Sequence, residues 1–159
     1  MSAKQPLGFD AHDHSACITD GVAAADDYCT RLGVQLTPVR RRVLEILLEA
    51  HRARGAYEIL DILRAEGLGA QPPVAYRALD FLTKHGFVHK IERLNAFIAC
   101  AHPGQSHAAA FLICRSCEAV AESMGQGALD GPAAAAGFQI ESEVMEAEGL
   151  CPKCREDTP

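Results

Sequence analysis

Apolar residues recur at helical spacing through the first two thirds of the chain. Over 19–33, Val22, Ala25, Cys29 and Leu32 fall on one face, with Thr19 or Asp20 as cap and Gly33 as stop. Leu36-Thr37-Pro38 opens a second helix, with Thr37 as N-cap and Pro38 at the first helical position. Its inward face is Val39, Val43, Ile46 and Leu47, and Arg40, Arg41 and Arg42 lie around its first turns. A third helix is predicted over 56–66, stopped by Gly67. A fourth, over 72–84, starts at Pro72-Pro73, buries Ala75, Leu79 and Leu82, and ends at Gly86. The third and fourth form a helix-turn-helix. Two strand signals follow, 87–92 and 96–100, with Asn95 in the turn between them. Three helices and a β-hairpin make a winged helix, here preceded by one extra helix.

After Cys100 the pattern changes. Residues 101–108 read as a hinge. Strand signals at 109–114 and 118–122 flank Cys114-Arg-Ser-Cys117. Residues 124–136 are Ala- and Gly-rich and weakly helical, and partial alternation over 138–146 (Phe138, Ile140, Val144) suggests a further strand. The expected architecture is α/β (α+β): a polar arm at 1–18, a winged-helix domain at 19–100, the hinge, and a small α/β domain at 109–159.

Composition narrows the class. Of 159 residues, 48% are apolar and 23% charged, as in a globular protein. No run of about 18 apolar residues exists to span a bilayer, and the first residues lack an apolar signal region. A cytoplasmic protein is expected. The net charge of −6 is uneven: residues 29–93 carry +4, against −4 before and −6 after them. A basic middle suits a phosphate-bearing partner.

The cysteines carry the chemistry. There are seven, an odd number that disfavours a disulfide framework. Four form two CxxC pairs, Cys114/Cys117 and Cys151/Cys154, separated by 33 residues. Such knuckles converge on one tetrahedral zinc, and four thiolates leave no open position, so the role is structural. A second set of potential ligands is His89, Cys100, His107 and Glu122, an N₂SO combination that suits Zn²⁺ better than Mg²⁺ or Ca²⁺. His89 shares a strand face with Phe87 and Ile91 and is expected to point inward. Taken singly, these residues also fit ordinary packing and surface roles, and His102 is an alternative ligand. His12, His14 and Cys17 add ligand chemistry within the arm.

Five segments, in order and at their spacing, carry a resemblance: Leu36-Thr-Pro-Val-Arg40, Tyr76-Arg-Ala-Leu-Asp80, Gly86-Phe-Val-His-Lys90, Phe111-Leu-Ile-Cys-Arg-Ser-Cys117 and Gly149-Leu-Cys-Pro-Lys-Cys154. From about residue 20 to 156 the chain resembles the ferric uptake regulator superfamily of bacterial metalloregulators, and within it the zinc uptake regulator branch. The resemblance implies a DNA-binding winged helix, a hinge and a dimerisation domain with structural zinc in the CxxC pairs. It also implies a regulatory zinc on His89, Cys100, His107 and Glu122, so two Zn²⁺ per chain. The implied protein is a homodimeric repressor that binds pseudo-palindromic operators of zinc-uptake genes when zinc orders the dimer.

Within that frame, helix 72–84 enters the major groove. Arg77 is the candidate guanine reader, and Tyr76, Tyr57, Arg40 and Arg41 are further DNA contacts, with Arg42 beside them. Two departures from the family stand out. The His-His-Asp-His cluster of iron-sensing relatives is replaced by Ser106-His107-Ala108-Ala109-Ala110, which disfavours an iron or peroxide sensor, and a same-fold repressor sensing iron, manganese or peroxide is the alternative reading. The recognition helix commonly opens Pro-Thr/Ser-Val-Tyr-Arg, and here it opens Pro73-Val74-Ala75-Tyr76-Arg77. A hydroxyl that could cap the helix or touch a phosphate is thereby lost. The rival from another class is a zinc enzyme with Glu122 as general base. Four protein ligands would close such a metal, and the chain has no HExxH or deaminase motif, so no enzyme is expected.

Overall fold

The computed structural model describes residues 9, 14–49, 52–68, 71–103, 108–125 and 127–158. They form two compact units, one from residues 14–103 and one from residue 108 onward together with Phe9. No helix among them is long and apolar enough to cross a membrane.

The first unit runs α1 (His14–Leu32), α2 (Pro38–Leu48), α3 (Ala56–Ala65), α4 (Pro72–Lys84), β1 (Val88–Ile91) and β2 (Ala96–Ala99). Its core draws Val43, Leu44, Ile46 and Leu47 from α2, Ile59, Leu60 and Leu63 from α3, and Ala75, Ala78, Leu79 and Leu82 from α4. Phe87, Val88 and Phe97 close it from the hairpin side. Local chemistry sets the helix ends as expected. The Thr37 hydroxyl accepts from the Arg40 amide at 3.4 Å, and Pro38 follows it. Gly67 and Gly86 stop α3 and α4 at φ of +72° and +78°, where a side chain would be strained. Strands β1 and β2 pair antiparallel, with His89 opposite Ile98, and Asn95 turns between them at φ +46°. Arg54 adds a single bridge to Phe97, with both hydrogen bonds at 2.8 Å. The result is a winged helix with one helix before it.

Four expectations need correction here. α1 begins at His14, so His14 and Cys17 lie in a helix and not in a patternless arm, while His12 lies outside the described residues. Thr19 does not cap it, because its hydroxyl donates to the Ser15 carbonyl one turn back at 2.9 Å. Leu32 is 55% exposed, since it ends the helix and the chain turns away before it can pack. In β1, Val88 and Ile91 are buried and His89 is half-buried. A two-stranded ribbon twists strongly, so simple alternation from Phe87 does not carry through.

The second unit is a three-stranded sheet ordered β4-β3-β5, with β3 (Ala108–Cys114), β4 (Val120–Gly125) and β5 (Val144–Gly149). β3 pairs antiparallel with β4 and parallel with β5. Two short helices join it, α5 (Asp130–Ala136) and α6 (Pro152–Glu156). The strand expected over 138–146 lies further on. Phe138 and Ile140 precede it, and Phe138 is 67% exposed, so its apolar spacing marks surface and not a strand face. The helix expected over 124–136 shrinks to α5, because β4 continues to Gly125. α6 was not anticipated. Pro152 at its first position and the Cys151 sulfur as cap create it.

Candidate functional site

The two CxxC knuckles meet because of strand direction. In the parallel pair β3–β5, Cys114 stands opposite Gly149, so both strands end at the same side of the sheet. The first knuckle turns at the end of β3, where the Arg115 amide donates to the Gly149 carbonyl at 2.9 Å. The second begins two residues after Gly149, on the first turn of α6. There Cys151 is the cap, and its sulfur accepts from the Cys154 amide at 3.5 Å. The four sulfurs come within 4.8 Å of one another. Cys117 Sγ and Cys151 Sγ are 3.7 Å apart. A tetrahedral ion with Zn–S bonds of about 2.3 Å needs sulfur edges of about 3.8 Å.

The electrostatics point the same way. Donation from the Cys117, Cys151 and Ser116 amides outweighs burial and brings Cys114 down to about 6. The Ser116 hydroxyl favours the Cys154 thiolate, but the other three sulfurs and desolvation together push that thiol up to about 12. Cys117 is also raised. The Ala119 amide lowers it, but desolvation and the thiols of Cys114 and Cys151 outweigh that. Crowding thus favours the thiol form of Cys117 and Cys154, which a cation sharing their charge would reverse. All four residues therefore fit a structural zinc, and the donor set is soft, four-coordinate and closed.

The second candidate set is assembled in part by the hairpin. His89 lies opposite Ile98, and Cys100 follows two residues later on the same face, so the two are diagonal neighbours across the ladder. Their ligand atoms lie within 4.8 Å of each other. Cys100 is 5% exposed, and its amide donates to the Phe87 carbonyl at 2.9 Å, which fixes the end of β2. Its sulfur accepts from the His102 amide at 3.3 Å, so His102 meets Cys100 through its backbone. In the other unit, Glu122 on β4 stands opposite Phe111 and is only 3% exposed. A carboxylate so deeply buried needs compensating donors or a cation. His107 lies outside the described residues.

The candidate DNA contacts lie on α2, α3 and α4 of the first unit. On α4, Tyr76 is 43% exposed and Arg77 is exposed, with its Nε donating to the Pro73 carbonyl at 3.3 Å. On α3, Tyr57 is 65% exposed. The three consecutive arginines of α2 take different roles. Arg40 stacks over the Phe81 ring at 3.8 Å and donates to the Gln35 carbonyl at 2.6 Å. Arg41 grips Asp26 of α1 through two bonds, one of them 2.7 Å. Arg42 donates to Glu66 with both arms at 2.7 Å and to Glu49 at 3.0 Å, tying α2 to the end of α3. Arg40 remains next to Arg77 along one groove, while Arg41 and Arg42 have structural partners. Phe81, which Arg40 stacks on, was not anticipated. Its place one turn after Arg77 on the same helix was the available signal.

The N-cap of α4 is Gln71, so position 74 is the third helical residue. A hydroxyl at that position could not have capped this helix, so the expected loss of a cap does not apply.

Comparison with known proteins places the chain. A model of the ferric uptake regulator family matches residues 31–147. The chain belongs to that family. It is 42% identical over 139 residues to the zinc uptake regulation protein of Escherichia coli (strain K12), covering 85% of this chain and 81% of that protein. Its fold matches a zinc uptake regulator complexed with zinc and DNA at a TM-score of 0.83 and 40% identity, over 88% of this chain and 96% of the other. Holo XcZur matches at 0.77 and 39% identity, over 91% and 99%.

Proposed function

We propose that this chain is a zinc-responsive, DNA-binding transcriptional repressor acting as a homodimer on pseudo-palindromic operators of zinc-uptake genes. The likeness to a family member solved with both zinc and DNA carries this reading. Two zinc ions per chain are part of it. Cys114, Cys117, Cys151 and Cys154 hold the structural ion. His89, Cys100, His107 and Glu122 hold the regulatory one, and the proximity of His89 and Cys100 supports that assignment. Bound there, zinc would supply a cross-link between ligands distant in sequence.

The regulatory ligands come from both sides of residues 101–108 and, through His107, from within them. Holding all four around one ion couples the segment that carries Arg77 to the segment that dimerises. A ligand set that forms only in the DNA-competent arrangement raises operator affinity by population shift, and operator DNA reciprocally tightens zinc binding. Arg77 reads a guanine, Tyr76 and Tyr57 contact the duplex beside it, and Arg40 contacts its backbone. Arg41 contributes a weaker phosphate contact, shared with Asp26.

Dimerisation is supported by the second unit's surface. α5 buries none of its residues, and Leu112, Leu129, Phe138 and Val144 are exposed by 38–67%. A second copy covers part of these exposed apolar side chains, with Leu112 and Val144 on opposite faces of the sheet. The test is anisotropy of a labelled promoter duplex from a zinc-uptake gene under buffered zinc, iron(II) and manganese(II). Tight binding appears with zinc at the lowest free concentration. Iron or manganese acting at lower free concentration than zinc would overturn the sensing assignment.

A further inference from the structure

A groove of about 200 Å³ runs between the start of α2 and the first turns of α4, lined by Thr37, Val39, Arg40, Val74, Arg77 and Ala78. Val74 is the third residue of α4, one turn before Arg77, so the two side chains share a face. The core face of α4 is formed by Ala75, Ala78, Leu79 and Leu82. Val74 stands outside it and is only partly buried. The fold therefore presents a branched apolar side chain beside two arginines, at the leading end of the helix that carries Arg77. Pro72 and Pro73 stiffen the approach, and the Val74 amide is held by the Gln71 carbonyl at 3.0 Å.

Phosphates and guanine edges offer nothing to two methyl groups. The apolar feature of the major groove is the thymine C5-methyl. Three residues advance an α-helix by about 4.5 Å, close to the roughly 3.4 Å between successive base pairs. We propose that Val74 is a specificity-determining residue that packs on the C5-methyl of a thymine next to the base read by Arg77. This rests on the DNA-binding reading above.

The test starts from duplexes that the zinc-loaded full-length protein selects out of a random pool. The position whose preference relaxes in Arg77→Ala locates its guanine. Each nearby thymine is then replaced by deoxyuridine, which pairs identically but lacks the methyl. One replacement per half-site, adjacent to that guanine, weakens the wild type about fourfold, the equivalent of one buried methylene. Val74→Ser binds the thymine and uracil duplexes equally. If the replacement weakens wild type and Val74→Ser alike, another side chain reads the methyl and the inference fails. It fails too if no thymine beside the guanine matters to the wild type. A pool from which the protein enriches no sequence overturns the DNA-binding reading itself, an outcome distinct from the other two.

Discussion

At the scale of single residues, DNA reading falls to side chains that are exposed without a packing duty. Arg77 is the clearest. Replacing it with alanine costs operator binding about 1–3 kcal/mol and relaxes preference at one position per half-site. The measurement is affinity for operator and random duplexes side by side, and equal weakening on both would reduce Arg77 to a phosphate contact. The grouping of the two CxxC pairs was legible from spacing, because each turn is a local feature, whereas the set of His89, Cys100, His107 and Glu122 came from the family resemblance. The fates of Arg41 and Arg42 were not legible. Their partners are Asp26, 15 positions earlier, and Glu66, 24 positions later, and only the packing of α2 against α1 and α3 selects them. Exposed pairs such as Arg41–Asp26, with side chains 38% and 46% accessible, contribute about 0.2–1 kcal/mol, so Arg41 can also serve DNA at little cost.

Among elements, the junction of α1 and α4 gives a pH prediction. The Tyr28 hydroxyl meets His85 Nδ1 at 3.1 Å, and the His85 ring lies against Tyr28 and Phe81. Burial, with the charges of Lys84 and Arg40, holds His85 below its ordinary value. A histidine depressed in the folded state contributes stability that is fully present above its unfolded pKa of about 6.5 and lost as pH falls through the folded value. Thermal unfolding midpoints should therefore drop between pH 7.5 and 5.5, and His85→Gln should flatten part of that slope. An unchanged slope would show that other histidines account for it.

The elements of the winged helix were readable because caps and stops coincide with the helical period: Thr37-Pro38, Gly67, Pro72-Pro73 and Gly86. The second unit was less readable. Phe138 and Ile140 imitate a strand on a surface, and α5 has no buried face to give it a period. α6 is five residues long and is set by Pro152 and a sulfur cap, which no hydrophobic pattern records.

Across the whole molecule, two metal sites with different duties should come apart in order. Purified protein should hold two zinc ions per chain, and a mild chelator should remove the regulatory ion first, since four thiolates retain theirs. Metal analysis with a chelator titration checks this, and a single class of zinc would contradict it. Cys114→Ser should lose the structural ion, whose binding supplies about 10–16 kcal/mol of apparent folding free energy, and with it the dimer. Leu112→Glu should reach monomer without losing metal, read by size-exclusion mass.

The measurement that bears most directly on the central claim is operator affinity of the wild type and Cys100→Ser, each with and without zinc. Cys100→Ser should fold, dimerise and keep its structural ion, yet bind operator equally weakly in both conditions, while the wild type tightens sharply with zinc. A Cys100→Ser protein that retains the full zinc response would show that Cys100 only packs and that the sensing site lies elsewhere.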